Sequence, residues 1–313
     1  MSSLFVTILN MSLTGAFVIA VVCLARLALR KSPKIFLYCL WSVAGFRLLF
    51  PFSVESNFSL MPFYAQPISP DTVAVPMYGA GQPFVWTSII SVVWFAGLVV
   101  MLAYVVISLV TLRRRLRDAV CIGGNIYESA KIKTPFVMGL ISPKIYLPRN
   151  LTVSERMYAV LHERTHINRR DHVVKLVGYL ILCLHWFNPL AWLAFWLMSA
   201  DMEMSCDERV LKELGGRADI KKDYSLALLS LADKRRFLGG GALAFISGNS
   251  IGSRIRNVLS LKRPSYAAVV VSVVLVTALS LGLGVDRVKV VIAAPYGGWD
   301  LGQFSPLLLL CCC

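Results

Sequence analysis

Two histidines four residues apart are the feature of this sequence that most directly suggests chemistry. His162 and His166 enclose Glu163 in an HExxH motif. Residues four apart lie on one face of an α-helix, so both imidazoles can bind the same metal ion. Glu163 lies beside them, where it can take a proton from a water molecule that the ion activates. The motif predicts a hydrolytic site with one catalytic Zn²⁺, in which His162 and His166 are metal ligands and Glu163 is the base.

A third metal ligand is expected further along the chain, because a catalytic zinc has three protein ligands and one open position. Residues 201–208 are rich in carboxylates and follow an apolar stretch. Glu203 and Asp207 are four apart and share a face if this segment is helical. We predict that Glu203 binds the metal and that Asp207 accepts a hydrogen bond from a ligating imidazole. A solvated acidic turn has the same composition, but the HExxH motif favours the metal site.

The two other histidines are not predicted to be ligands. His172 lies about 80° from His162 around a straight helix, which leaves it at the surface or beside the ligands. His185 lies within apolar sequence. It is predicted to be a hydrogen-bonded packing residue.

The elements that carry the motif can be predicted from local sequence. Thr152 and Glu155 form a capping-box pattern at the start of a helix that no Gly or Pro interrupts as far as Arg169. Three short segments before it, residues 125–127, 135–138 and 144–147, are rich in β-branched or aromatic residues and are separated by Gly and Pro. Such segments are typical of strands, and they predict an α+β domain around the HExxH helix.

The composition indicates a membrane protein. Hydrophobic residues make up 57% of the 313 residues, charged residues make up 16%, and the mean hydropathy is +0.67. Soluble domains have about 45–50% apolar and about 25% charged residues. A net charge of +15 would also suit nucleic-acid binding, but the basic residues cluster beside apolar stretches, as in the cytoplasmic loops of membrane proteins. Direct nucleic-acid binding is therefore not expected.

Four stretches are apolar and long enough to cross a bilayer as helices, which takes about 20 residues. They are residues 4–25, 35–52, 84–112 and 266–285. Arg47, near the outer end of the second stretch, would have to extend its side chain to the membrane surface. The predicted fold class is therefore mainly α, a multi-pass membrane protein with four transmembrane helices and a cytoplasmic α+β domain.

Loop charges predict the orientation in a bacterial cell membrane. The loop after the first stretch and the segments after the third and before the fourth are basic, whereas residues 53–83 contain no Lys or Arg. Because basic loops stay in the cytoplasm, the N-terminus is expected outside. The predicted order is three transmembrane helices in 1–112 with extracellular loop 53–83, a cytoplasmic zinc metalloprotease domain in 113–264, a fourth transmembrane helix in 265–285, and a short extracellular tail in 286–313.

The apolar stretch 173–198 constrains this arrangement. A single crossing of the bilayer there would place Glu203 on the opposite side from His162, and no shared metal site could form. Asn188 and Pro189 offer a helix start, because Asn is a favoured N-cap and Pro is favoured at the first helical position. We predict a membrane-associated helical hairpin over 173–199 whose legs are too short to span the bilayer.

The motifs together resemble the integral-membrane metallopeptidases of the BlaR/MecR antirepressor type, the signal-transducing proteases of bacterial β-lactam resistance. The resemblance covers residues 1–285 and is carried by Thr134-Pro135-Phe136-Val137-Met138-Gly139, Pro143-Lys144-Ile145-Tyr146-Leu147-Pro148, His162 to His166 with Arg169-Arg170-Asp171 behind, and Glu203-Met204-Ser205-Cys206-Asp207. It implies a gluzincin-type domain with His162, His166 and Glu203 as ligands and Glu163 as base. It also implies a DNA-binding repressor as the cytoplasmic substrate, cleaved after an extracellular signal.

The sequence departs from that family after the fourth span. The family's receptors carry a penicillin-binding domain there with a Ser-x-x-Lys nucleophile, whereas 28 residues follow Val285 here and no Ser-x-x-Lys occurs. Direct acylation by a β-lactam is not expected. Either the signal would come from a separate extracellular sensor or a second copy of the chain, or the sensor domain is missing through truncation of the gene. The family's self-cleavage segment maps loosely to 237–250, with Phe237, Ala244 and Phe245 as candidate positions.

Two other functions fit the same residues. One is a non-enzymatic membrane signal transducer with a vestigial metal site. The other is a housekeeping membrane protease for misfolded proteins or prenylated peptides. For a protease, we expect a substrate strand to add to a sheet edge near residues 144–147.

Overall fold

The fold was analysed in a computed structural model that describes residues 2–30, 32–50, 60, 83–236, 251–261 and 264–284. Its helices are α1 (Ser2–Ala28), α2 (Lys34–Leu49), α3 (Pro83–Arg115), α4 (Val153–Arg169), α5 (Asp171–Leu184), α6 (Pro189–Glu213), α7 (Ala218–Arg236), α8 (Ile251–Ser260) and α9 (Tyr266–Gly284). Its strands are β1 (Val120–Gly123), β2 (Ile126–Ser129), β3 (Phe136–Met138) and β4 (Lys144–Pro148). Loop 53–83, apart from Leu60 and Pro83, and tail 286–313 lie outside the described residues.

Three of these helices are long and apolar enough to cross a membrane. They are Ser3–Ala28 in α1, Ser88–Arg115 in α3 and Tyr266–Gly284 in α9. The predicted second span corresponds to α2, which has 16 residues. At 1.5 Å per residue it extends about 24 Å, less than the hydrocarbon core of about 30 Å. The described residues therefore support the predicted first, third and fourth spans by length. The predicted second span, α2, stays a prediction.

The helices share a core with α2 at its centre. Val18 and Val22 of α1, Leu40 and Trp41 of α2, and Leu283 of α9 belong to one buried cluster. Residues of α5 and α6 complete the same cluster. Helix α6, which carries the acidic segment, is therefore packed directly on the apolar helices α1 and α2 that precede the domain in sequence.

The prediction that Arg47 extends to the membrane surface is wrong. Its side chain is buried, and its Nε donates a hydrogen bond of 2.7 Å to the carbonyl oxygen of Leu283. That carbonyl lies at the C-terminal end of α9, where the helix dipole favours a cation. Arg47 therefore joins α2 to the last helix inside the protein.

The strands form one mixed sheet in the order β1-β2-β4-β3. The three predicted strands are confirmed, and β1 was not predicted. Since β4 pairs with β2 in parallel and with β3 antiparallel, residues 144–147 lie inside the sheet. The prediction of a substrate edge there is wrong, because both sides of β4 already have a partner strand. The outer strands among the described residues are β1 and β3.

Helix α4 begins as the capping box predicts. The Thr152 side chain accepts from the Glu155 amide, and the Glu155 carboxylate accepts from the Thr152 amide. One face of α4 packs on the sheet, where Ala159 contacts the buried side chains of Ile145 and Leu147. The sheet thereby fixes the helix that carries the HExxH motif.

The chain turns sharply between α5 and α6. Asn188 is the N-cap of α6, its Oδ1 accepts from the Leu190 amide at 2.9 Å, and Pro189 is the first helical residue, as predicted. The two helices contact each other, and α6 continues beyond residue 199 through the whole acidic segment to Glu213.

His185 is buried and donates a hydrogen bond of 2.8 Å from Nε2 to the Leu48 carbonyl oxygen, which confirms its predicted packing role.

Candidate metal centre

The two histidines of the motif and Glu203 meet where α4 faces α6. The Nε2 atoms of His162 and His166 are 3.1 Å apart. Oε2 of Glu203 lies 3.4 Å from Nε2 of His162 and 3.7 Å from Nε2 of His166. Ligand atoms at 2.0–2.2 Å from one tetrahedral zinc are separated by about 3.3–3.6 Å. The three measured separations of 3.1, 3.4 and 3.7 Å fall within about 0.2 Å of this range, so the three atoms lie close to the spacing of a zinc ligand set.

The other nitrogen of each imidazole is also hydrogen-bonded. Nδ1 of His166 lies 2.8 Å from Oδ2 of Asp171. Nδ1 of His162 lies 3.0 Å from the Tyr224 hydroxyl and 3.3 Å from Oδ1 of Asp207. The Tyr224 hydroxyl donates to Asp207 at 2.7 Å, so it accepts from His162. With a proton on each Nδ1, each Nε2 keeps a lone pair for a metal.

Asp171 reaches His166 because α4 and α5 are separated by a single residue. Arg170 adopts a left-handed conformation with φ 58°, and its amide donates to the carbonyls of the last turn of α4. This conformation is unfavourable for a residue other than Gly. It ends α4 and starts α5 at Asp171, which is buried. Its hydrogen bond to His166 was not predicted from the spacing.

Arg254 of α8 borders the same atoms. Its Nε and Nη2 donate to the two oxygens of Asp207 at 2.8 and 2.7 Å. Its Nη1 lies 3.3 Å from Oε2 of Glu203, and Nη2 lies 3.4 Å from Nε2 of His162. By sequence, Arg254 belongs to the basic residues before the fourth span, and no motif marks it as part of the site.

The paired hydrogen bonds from Arg254 keep the Asp207 carboxylate ionised. Burial alone would raise the pKa of Asp207, but the Arg254 guanidinium and then His162 lower that pKa far below its usual range. Asp207 is completely buried and ionised. It is therefore a fixed anion behind His162, as a hydrogen-bond acceptor for a ligating imidazole requires.

Cys206 offers a second donor set, because the ligand atoms of His162, His166 and Cys206 all lie within 4.8 Å of one another. Its buried Sγ is 3.6 Å from Nδ1 of His162, the nitrogen that faces Tyr224 and Asp207. Glu203 instead faces the Nε2 atoms of both imidazoles. The convergence of the two Nε2 atoms favours Glu203 as the third ligand, with Cys206 beside the set.

Burial raises the pKa of Glu163, against the opposing effect of His162 and His166. A carboxylate with a raised pKa is a better proton acceptor, and such shifts are found in catalytic bases.

Two further predictions concern residues outside the proposed ligand set. His172 Nε2 lies 3.4 Å from the Leu140 carbonyl oxygen. Phe237, Ala244 and Phe245 lie outside the described residues.

A family model matches most of the chain, and individual known proteins match shorter parts of it. The family model described as BlaR1 peptidase M56 matches residues 6–257. The regulatory protein BlaR1 of Bacillus licheniformis is 35% identical over 97 residues, which are 30% of this chain and 16% of that protein. The methicillin resistance mecR1 proteins of Staphylococcus aureus and Staphylococcus epidermidis are 28% identical over 130 residues, which are 40% of this chain and 22% of each relative. The aligned part of the chain spans less than a quarter of these relatives.

Proposed function

This chain belongs to the BlaR1 peptidase M56 family, as the resemblance of its motifs predicted, and from that premise we propose that it is a membrane-embedded zinc metalloendopeptidase. Its substrate is a cytoplasmic DNA-binding repressor, with self-cleavage in 237–250 as a second reaction. The observation that carries the proposal is the approach of Glu203 on α6 to both Nε2 atoms of the HExxH motif on α4. His162, His166 and Glu203 are the proposed ligands.

A zinc ion held there would supply a Lewis acid that polarises the scissile carbonyl and lowers the pKa of water to about 7. Glu163 takes a proton from the attacking water on its carboxylate. As the carbon–nitrogen bond breaks, Glu163 returns this proton to the leaving amine. Asp171 holds His166 through its Nδ1 hydrogen, and Tyr224, which donates to Asp207, holds His162 through its Nδ1 hydrogen.

The proposed binding mode for the substrate is strand addition to β3. This strand pairs with β4 on one side only among the described residues. An extended peptide can therefore hydrogen-bond the other side, as peptides do at exposed sheet edges elsewhere. β3 also contacts α4, the helix of the HExxH motif, so such a peptide would run beside the metal centre.

The proposed topology keeps the metal centre in the cytoplasm, with the N-terminus outside, four spans in all, and hairpin 173–199 entering and leaving the bilayer on one side. A reporter fused at Asp219, at the start of α7, should give a cytoplasmic signal, because α5 and α6 turn at Asn188 and return the chain. A fusion within 53–83 is the matched external control. An external signal at Asp219 would contradict the topology.

The proposed activity predicts both metal content and a defined product. Full-length protein purified in detergent without chelators should hold one zinc per chain, since the three proposed ligand atoms lie 3.1 to 3.7 Å apart, close to tetrahedral spacing. Co-expression with a winged-helix repressor encoded next to its gene should yield one specific repressor fragment, and a chelator should stop cleavage in the purified system.

Three outcomes separate the rival functions. Stoichiometric zinc without cleavage of any partner would favour a non-enzymatic transducer. Unselective cleavage of misfolded proteins would favour a housekeeping protease. Absence of stoichiometric divalent metal would refute the enzyme assignment.

The inducing signal would reach the chain through a separate extracellular sensor or a homodimer. Cross-linking of the full-length protein in membranes can detect either partner.

A further inference from the structure

Three acidic residues around the metal centre are held by the first two helices of the chain. Asp171 at the start of α5 bonds α2, Asp201 on α6 bonds α1 and α2, and Glu208 on α6 accepts a hydrogen bond of 2.9 Å from the Lys34 amide at the start of α2. None of these contacts belongs to the proposed ligand set. Each one joins an apolar N-terminal helix to a helix that borders the metal centre.

The contact nearest to a ligand is a relay of two hydrogen bonds. The Tyr38 hydroxyl on α2 donates to Oδ1 of Asp171 at 3.1 Å. Oδ2 of the same carboxylate accepts from Nδ1 of His166 at 2.8 Å. Asp171 is only 2% exposed, so water is largely excluded and the orientation of the carboxylate depends on these protein partners.

Arg169 supports the same carboxylate from a third direction. Its Nε lies 3.4 Å from Oδ2 of Asp171, and its guanidinium carbon lies 5.0 Å from the centre of the Tyr38 ring. The tyrosine ring therefore supports the arginine, while the tyrosine hydroxyl bonds the aspartate directly. Replacing Tyr38 by Phe removes the hydroxyl and keeps the ring.

A parallel contact fixes the helix that carries Glu203. Asp201 lies two residues before Glu203 and is completely buried. Nε and Nη2 of Arg26 on α1 bond its two oxygens at 2.9 and 3.0 Å, and Nε1 of Trp41 on α2 donates to it at 2.9 Å. An arginine bonded to both oxygens of a carboxylate in this way fixes the relative geometry of the two side chains. Both sides of the proposed ligand set thus rest on α1 and α2.

We propose that Tyr38 positions the ligand His166 through Asp171, so that the N-terminal helices complete the metal centre. The inference rests on the proposed function, because it gives His166 the role of a ligand. In this arrangement, metal affinity depends on how α2 sits against α5. A rearrangement of the N-terminal helices would therefore change the metal centre without any contact to the metal itself.

The test measures metal affinity of the full-length protein in detergent, by competition between the chain and a chromogenic chelator for Zn²⁺ and for Co²⁺. Asp171→Asn should weaken binding about 10- to 100-fold, as loss of a ligand's hydrogen-bond partner does elsewhere. Tyr38→Phe acts one bond further away and should weaken binding about 3- to 10-fold. The Co²⁺ absorption spectrum should change in the same variants.

Tyr179→Phe is the matched control. Its hydroxyl donates to the Met101 carbonyl oxygen at 3.2 Å and joins α5 to α3, so this variant also loses one hydrogen bond between helices, but one that is remote from the ligands. It should keep wild-type affinity. The double variant Tyr38→Phe, Asp171→Asn should bind no more weakly than Asp171→Asn alone, because Tyr38 acts through Asp171.

Wild-type metal affinity in Tyr38→Phe would overturn the inference while the proposed function stands. So would a double variant in which Tyr38→Phe weakens binding by the same factor in the Asp171→Asn background as it does alone. An equal loss in Tyr179→Phe would also overturn it, because general loosening of the helix packing would then explain the effect. Failure of the wild-type chain to bind metal would refute the proposed function and this inference with it.

Discussion

Glu163→Gln should leave the protein able to bind its metal and lower its rate of peptide hydrolysis about 10²- to 10⁴-fold. Glutamine keeps the size and polarity of the side chain but cannot accept a proton. Glu163 lies between the two proposed histidine ligands in sequence and is not itself a proposed ligand, so the ligand atoms remain in place. The substitution therefore separates metal binding from catalysis.

The measurement combines zinc content with the rate of fragment formation from a co-purified repressor. Glu213→Gln is the control, because Glu213 lies at the exposed end of α6 and pairs only with Arg209 among the contacts described for it. The control should cleave at the wild-type rate. Wild-type proteolysis in Glu163→Gln would remove this residue from the role of base, and loss of zinc would show that its role is structural.

Arg254→Met should lower the free energy of unfolding by about 3–5 kcal/mol, the usual cost of leaving one member of a buried ion pair without its partner. Arg254 is the cation that neutralises Asp207, whose side chain is completely buried. Methionine has a similar length but no charge and no hydrogen-bond donor. The unpaired carboxylate must then take up a proton, draw in water or move away from His162.

Unfolding of the metal-free protein in detergent, followed by circular dichroism, gives the stability. Arg256→Met is the matched control on the same helix, since Arg256 is exposed, and it should change stability by less than about 0.5 kcal/mol. Asp207→Asn in the Arg254→Met background should restore part of the loss, because no buried charge remains. Equal stability of Arg254→Met and Arg256→Met would contradict the assigned role of this ion pair.

Local sequence rules predicted much of the site's framework. The capping box of α4, the start of α6 at Asn188 and three of the four strands depend on residues within a few positions of one another. The same holds for the shared face of His162 and His166. The pairing of Glu203 with this motif needed one more argument, namely that a catalytic zinc has three protein ligands, and the helical hairpin was predicted from that pairing.

The remaining parts of the site come from contacts between residues far apart in sequence. Arg254 and Arg256 are both basic residues before an apolar stretch. The Arg254 side chain is only 14% exposed and pairs with Asp207, whereas Arg256 is exposed. Tyr224 and Tyr38 carry no motif either. No spacing rule identifies such residues, because their roles depend on which helices become neighbours.

The sequence by itself determined that two imidazoles and a carboxylate share one helix, because the period of an α-helix is fixed by its backbone, and from this it predicted the chemistry. It also identified a membrane protein, because long apolar stretches need lipid or a large core. Only the tertiary structure decided that β4 is interior, that Arg47 is buried and that α1 and α2 reach the metal centre. Each of these depends on how helices and strands pack. A buried polar group needs a hydrogen-bond partner, but the order of residues along the chain does not identify that partner.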